Sequence, residues 1–197
     1  MWDQRYDVEE YVYGTDPNQF LREHLSFLTP GMRVLSVADG EGRNGVWLAE
    51  QGMQVLSVDA SCVAQTKARK LADERQVQME FECADLLNWH WKPNQFDAVA
   101  AIFIQFANAA ERKNLFAGLH TTLKSGGILL LHGYTPRQLE YRTGGPGSVE
   151  QLYTIHMLRA LLDGFDILEL REHDSHISEG TYHHGMSALV DVVAKKC

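Results

Sequence analysis

The sequence predicts an α/β fold: a doubly wound, mostly parallel seven-stranded sheet with an antiparallel C-terminal hairpin. Three observations carry that expectation. Short apolar runs alternate with amphipathic stretches between residues 33 and 133, the pattern of successive βαβ units. A glycine-rich turn, DGEGRNG, directly follows the first apolar run. The last two apolar runs, 165–173 and 187–195, have no helix-length segment between them, so they pair antiparallel.

Each element follows from local chemistry. A first helix is expected from TDPNQFLREHLSFL, with Asp16 as N-cap, Pro17 in the first turn and Gln19 completing a capping-box pattern. Pro30-Gly31 ends it. RVLSVA (33–38) reads as the first strand, Asn44 to Gln51 as a helix stopped by Gly52, and MQVLSV (53–58) as the second strand. A helix from Ser61 to about Arg75 precedes QMEFEC (78–83), the third strand. FDAVAAIFI (96–104) is almost wholly apolar, as a central strand covered on both faces should be. Ala109 to Leu123 is helical, and GGILLLHG (126–133) is a fifth strand. Ser148 and Gln151 form a capping-box pattern for a helix ending at Gly164, with Leu152, Ile155, Leu158 and Leu162 as its inner stripe.

The composition narrows the function classes. A chain of 197 residues with 45% hydrophobic residues suits one domain with a full core. A net charge of −8 argues against nucleic-acid or anionic-membrane partners and leaves a small-molecule substrate as the expectation. No apolar run approaches the roughly 18 residues needed to span a bilayer, and the polar start MWDQRYDVEEYVYG is not a signal peptide. Cys62, Cys83 and Cys197 are odd in number and lack metal-ligand spacing, which fits a reducing, cytoplasmic compartment.

Ligands of open α/β sheets bind beyond the carboxyl ends of the strands. Three successive strands run into a carboxylate there: Asp39, Asp59 and Asp85. Helix N-capping is the plainer role for each. Gly40, Gly42 and Gly45 spell GxGxxG, usually a dinucleotide motif. Asp39, however, would repel a pyrophosphate and would suit an ammonium group. Asp59 lies 59 − 39 = 20 residues on, where a carboxylate accepts from ribose hydroxyls. Asp85 can accept from the exocyclic amine of adenine. Ammonium, ribose and adenine together describe S-adenosyl-L-methionine (SAM). Gly40 and Gly42 let the backbone approach such a ligand closely.

With these residues in place the chain resembles the class I SAM-dependent methyltransferases over nearly its whole length. The matching pieces are VADGEGRNG, Asp59, Asp85, FDAVAAIF and LKSGGILLL, in which Ser125 stands where the family has proline. Within the class it looks like a small bacterial branch labelled tellurite-resistance or thiopurine-like, through WDQRY, YVYGTDPNQFL, GEGRN, GYTPRQLEYRTGGP and EGTYHHG. Similar proteins have Glu where Asp39 stands. The resemblance implies a single methyltransferase domain over 1–197, with residues 1–30 covering the cofactor site. It implies a SAM contact set of Asp39, Gly40, Glu41, Gly42, Arg43, Asn44, Asp59, Ala60, Asp85, Leu86, Ile102 and Phe103, with Tyr11 and Tyr13 from the N-terminal segment. Asn44 is read as organising the turn; Arg43 is open between that and a cofactor carboxylate.

Methyl transfer from a sulfonium needs positioning and exclusion of water more than it needs a base, unless the acceptor is a neutral hydroxyl or amine. Acceptor-side candidates follow the fourth and fifth strands: Gln105, Phe106, Tyr134, Tyr141, Arg137 and Arg142. The resemblance adds Tyr182 and His183. Aromatic rings there would wall a pocket or contact the cation, and arginine would hold an anionic acceptor; core packing and a solvated loop are the rival roles. His173, His176, His183, His184 and Glu179 raise a metal site, but their spacing does not favour one, and no metal is expected. The sequence therefore predicts a methyltransferase with a small acceptor such as a thiol, a chalcogen oxyanion or a heterocycle, monomeric or homodimeric. A non-catalytic SAM-binding module and a nicotinamide oxidoreductase are the competing readings; a protein or RNA methyltransferase is disfavoured by small size and net acidity.

Overall fold

A computed structural model describes residues 2–180 and 183–197. Seven strands form one sheet in the order β3-β2-β1-β4-β5-β7-β6. They are β1 (Arg33–Val37), β2 (Gln54–Asp59), β3 (Glu80–Cys83), β4 (Phe96–Ile102), β5 (Leu123–Tyr134), β6 (Phe165–Glu179) and β7 (His183–Lys196). The first five pair in parallel; β7 inserts antiparallel between β5 and β6. The chain order reverses between β1 and β4, and that crevice is where the fold places a ligand.

The helices are α1 (Trp2–Tyr6), α2 (Gln19–Glu23), α3 (Arg43–Glu50), α4 (Cys62–Glu74), α5 (Ala109–Thr122), α6 (Gln138–Tyr141) and α7 (Ile155–Leu161). The central strand β4 shows why the sheet is covered twice. Phe96, Val99 and Ala101 join the core beneath α5 and α7, whereas Ala98, Ala100 and Ile102 join the core beneath α2 and α3. Each face alternates with the pleat, and a bulge between Phe96 and Ala98 shifts the phase once.

Three expectations need correction. The first helix is capped by Asn18, whose side chain accepts from the Phe20 N–H, and not by Asp16. It stops at Glu23 and continues only as a 3₁₀ turn over Leu25–Phe27. Asn18 wins because its own N–H donates to Asn44 Oδ1, which fixes the entry of the helix from outside. The predicted helix from Ser148 to Gly164 is a 3₁₀ turn, Val149–Gln151, followed by α7 with Thr154 as its cap. The Ser148 side chain makes no capping bond. Leu152 is buried outside the helix, so its apolar character reports burial, not helical phase. Finally, Cys62 and Cys83 form a disulfide, leaving Cys197 free. Parallel pairing of β2 with β3 brings the end of β3 beside the start of α4, with Cα atoms 5.2 Å apart. The cysteine count therefore no longer argues for a reducing compartment. No helix among the described residues is long and apolar enough to cross a membrane.

Candidate functional site

The turn after β1 is built on left-handed backbone at alternate residues: Ala38 (φ 49°), Gly40 (φ 58°) and Gly42 (φ 85°). Two of the three motif glycines are thus needed for conformation. Ala38 is the third left-handed position and carries a Cβ, a local strain placed at the ligand crevice. Gly45 serves packing. It lies inside α3, and a Cβ there would collide with the Asp39 carboxylate.

Asp39 itself faces inward. Its carboxylate accepts from Ser36 Oγ (2.7 Å), Ser57 Oγ (2.8 Å) and the Gly45 N–H (3.1 Å). The last bond caps the open N-terminus of α3. Burial outweighs these three donors and pushes the Asp39 pKa up to about 6. The side chain therefore organises the turn rather than presenting its charge to an ammonium group.

Asp59 ends β2 with its carboxylate at the crevice. It accepts from the Gly40 N–H and the Ser61 N–H, both at 2.8 Å. Burial raises its pKa, and those two backbone donors oppose the shift. Two bonds leave further lone pairs on the carboxylate for ribose hydroxyls. Ala60 is exposed at the next position. Asp85 is exposed beyond β3 and forms a local turn, accepting from the Leu87 N–H and Asn88 Nδ2; Leu86 is buried below it. The residues present fit an adenosine-bearing ligand: an acidic strand end for ribose, an exposed acid for the amine and a glycine backbone open to close approach.

The N-terminal segment and the tip of the β6–β7 hairpin meet over this crevice. Glu41 accepts from the Val12 N–H at 2.8 Å and pairs with Lys67. Arg43 donates to Glu179 at 2.8 Å and to the Asp16 carbonyl at 3.4 Å. Asn18 Nδ2 also donates to Glu179, at 2.8 Å. Arg43 and Asn44 are thus joined to the covering segments. The guanidinium of Arg43 and neighbouring His183 hold the Glu179 carboxyl down to about 2, against the effect of burial. Tyr11 lies over α4, its hydroxyl donating to the Lys67 carbonyl.

Beyond β4 and β5 an aromatic group collects. Phe103 (φ 55°) stacks on Tyr134 with ring centres 4.7 Å apart and meets His183 edge to face at 4.5 Å. The Tyr13 ring centre lies 4.6 Å from that of His183. Ile102 is buried beneath them. The Tyr134 hydroxyl is buried without a hydrogen-bond partner. Burial lowers the His183 pKa, so its imidazole is neutral at neutral pH. Tyr141 and Arg142 stand apart from this group. Tyr141 donates to Asp174 on the outer hairpin, where Arg137 also pairs, and Arg142 is exposed. Tyr182 lies outside the described residues. Gln105 is committed to structure: it bonds both the N–H and the carbonyl of Tyr134. The histidines of the hairpin separate, His173 onto Asp191, His176 against His184, and His183 inward.

The sequence reading missed Tyr6. Its ring is buried, and its hydroxyl sits 3.0 Å from where a Cβ on Gly40 would lie. The only available signal was WDQRY, read as lineage and not as site.

Comparison with known proteins agrees with this architecture. Residues 34–127 match the family model described as a methyltransferase domain. The chain is 30% identical over 132 residues to the demethylmenaquinone methyltransferase of Renibacterium salmoninarum, covering 67% of this chain and 51% of that protein. It spans about half the length of the relatives it matches in sequence. Among solved structures, a SAM-dependent methyltransferase from Methanosarcina mazei superposes with a TM-score of 0.75 at 17% identity, over 92% of this chain and 98% of that one. TehB from Haemophilus influenzae superposes with a TM-score of 0.75 at 13% identity, over 100% of this chain and 66% of that one. The fold is that of the SAM-dependent methyltransferases, and SAM is the cofactor that goes with it.

Proposed function

We infer that this chain is a class I SAM-dependent methyltransferase that methylates a small-molecule acceptor, close to the tellurite-resistance and thiopurine-like branch. The junction of β1 and β2 carries the reading: Asp59 bonded to the Gly40 N–H at 2.8 Å, within the residues that match a methyltransferase domain. SAM supplies an activated methyl group on a sulfonium, which an acceptor's electron pair displaces in line. Asp59 holds the ribose, Asp85 the adenine amine, and Gly40 and Gly42 give backbone access. Glu41, Arg43 and Asn44 act through the segments they fasten over the site.

The acceptor lies against Phe103, Tyr134, Tyr13 and His183. This wall is aromatic and neutral, so it favours a soft or flat acceptor over a strongly charged one. The orphaned Tyr134 hydroxyl is a donor for it. His183, neutral through burial, takes a proton from an acceptor that arrives protonated. The net charge of −8 supports a small-molecule rather than a nucleic-acid partner.

Calorimetry with SAM and S-adenosylhomocysteine tests the reading. Both should bind, and Asp59→Ala should weaken each by about a hundredfold through two lost charge-assisted bonds. Folded protein that binds neither ligand overturns it. A panel of thiols, chalcogen oxyanions and heterocycles then distinguishes an enzyme from a module that only binds SAM.

A further inference from the structure

The N-terminal segment is wrapped around one lysine. Lys67, on α4, donates to the carbonyls of Tyr6 (3.4 Å), Val8 (3.0 Å) and Glu10 (2.6 Å). Its ammonium also pairs with Glu41 of the glycine turn and lies 5.3 Å from the centre of the Tyr11 ring. Glu41 in turn accepts from the Val12 N–H. One side chain therefore fixes residues 6–10, and its carboxylate partner fixes residue 12.

The product of that wrapping is the position of Tyr6. The ring is 6% exposed and packs with Val12 and Ala64. Its hydroxyl lies 3.0 Å from where a Cβ on Gly40 would stand, so it faces the glycine turn. Burial, with the carboxylates of Asp59 and Glu41 nearby, raises its pKa, so it remains a donor. A donor held at the Gly40–Asp59 step is placed to bond a ligand that lies there. A cavity of about 430 Å³ flanks the same segment, lined by Tyr6, Tyr11, Val63 and Lys67, which leaves room for it to lift.

We propose that Lys67 is a clasp seating the N-terminal segment, and that the seated Tyr6 hydroxyl is a direct cofactor contact at the Gly40–Asp59 step. This rests on the SAM reading of the site. Affinity for the cofactor then scales with the fraction of molecules in which the segment is clasped.

The test uses the full chain and S-adenosylhomocysteine as the probe, with wild type, Tyr6→Phe, Lys67→Met and, as control, the exposed Lys70→Met. Calorimetry gives affinity, hydrogen exchange gives protection of residues 2–14, and thermal melting checks folding. Tyr6→Phe should bind about three- to tenfold more weakly, with exchange and melting unchanged. Lys67→Met should bind at least about tenfold more weakly while residues 2–14 exchange faster and the β4 amides do not. Lys70→Met should match wild type. Wild-type affinity in Tyr6→Phe, or wild-type protection of residues 2–14 in Lys67→Met, overturns the proposal. Failure of the wild type to bind overturns the SAM reading instead, and the exchange comparison still decides whether Lys67 is the clasp.

Discussion

At the scale of single residues, Asp39 and Gly45 form one unit. The carboxylate needs the space that a Cβ at Gly45 would take. Gly45→Ala should therefore cost about 2 kcal/mol by overpacking, whereas Gly147→Ala, in open space, should be neutral; urea unfolding separates them. The ionisation of Asp39 has a sign that can be checked. Its folded pKa of about 6 lies above the unfolded value of about 3.9. Its contribution to stability is thus fully present below the unfolded value and lost as pH rises through about 6. Asp39→Asn should flatten the stability curve between those pH values. Glu179, held down to about 2, behaves oppositely: its contribution is present at neutral pH and lost in acid. The sequence showed that a carboxylate stood beside the glycines. It did not show which way the carboxylate pointed, because Ser36 and Ser57 lie on two different strands that only the sheet brings together.

At the scale of elements, strand periodicity was legible and helix ends were less so. Strands β1, β2 and β4 and the centre of β5 follow from their apolar runs because each is buried on both faces, whereas β3 lies exposed at the sheet edge. The helix after Gly147 was misplaced because a capping-box pattern occurs at Ser148 while the cap that forms is Thr154, which accepts from the Met157 N–H at 3.1 Å. Thr154→Ala should cost about 1 kcal/mol and Ser148→Ala almost nothing, a difference that chemical denaturation resolves. The terminal strands are longer than their apolar runs because their distal halves form a two-stranded arm of alternating exposed and half-buried residues. Sequence hydropathy does not mark such an arm. Its purpose appears only at its tip, where Gly180 (φ 63°) packs directly on the backbone of Val12 and Tyr13.

At the scale of the whole molecule, the fold class and the position of the crevice were readable from the β/α alternation and three acidic strand ends. An N-terminal cover was expected only through the resemblance, and its fastening to Glu179 was not legible, because it joins residues remote in sequence. The Cys62–Cys83 disulfide also belongs to this scale, since it ties the start of α4 to the end of β3. Closing a loop with a sequence separation of 21 residues should stabilise the chain by about 3 kcal/mol. Addition of dithiothreitol should lower the melting temperature of the wild type and leave a Cys62→Ser/Cys83→Ser variant unmoved. The bond from Asn18 to Glu179 spans 161 residues, and Arg43 to Glu179 spans 136. During synthesis, then, the glycine turn and its acids leave the ribosome long before the residue that fastens their cover. A nascent chain ending after β5 carries the strand ends at the crevice with Arg43 and Asn18 still awaiting Glu179. The hairpin that carries Glu179 emerges after every one of those strand ends, so the capacity to retain cofactor should arise late in synthesis.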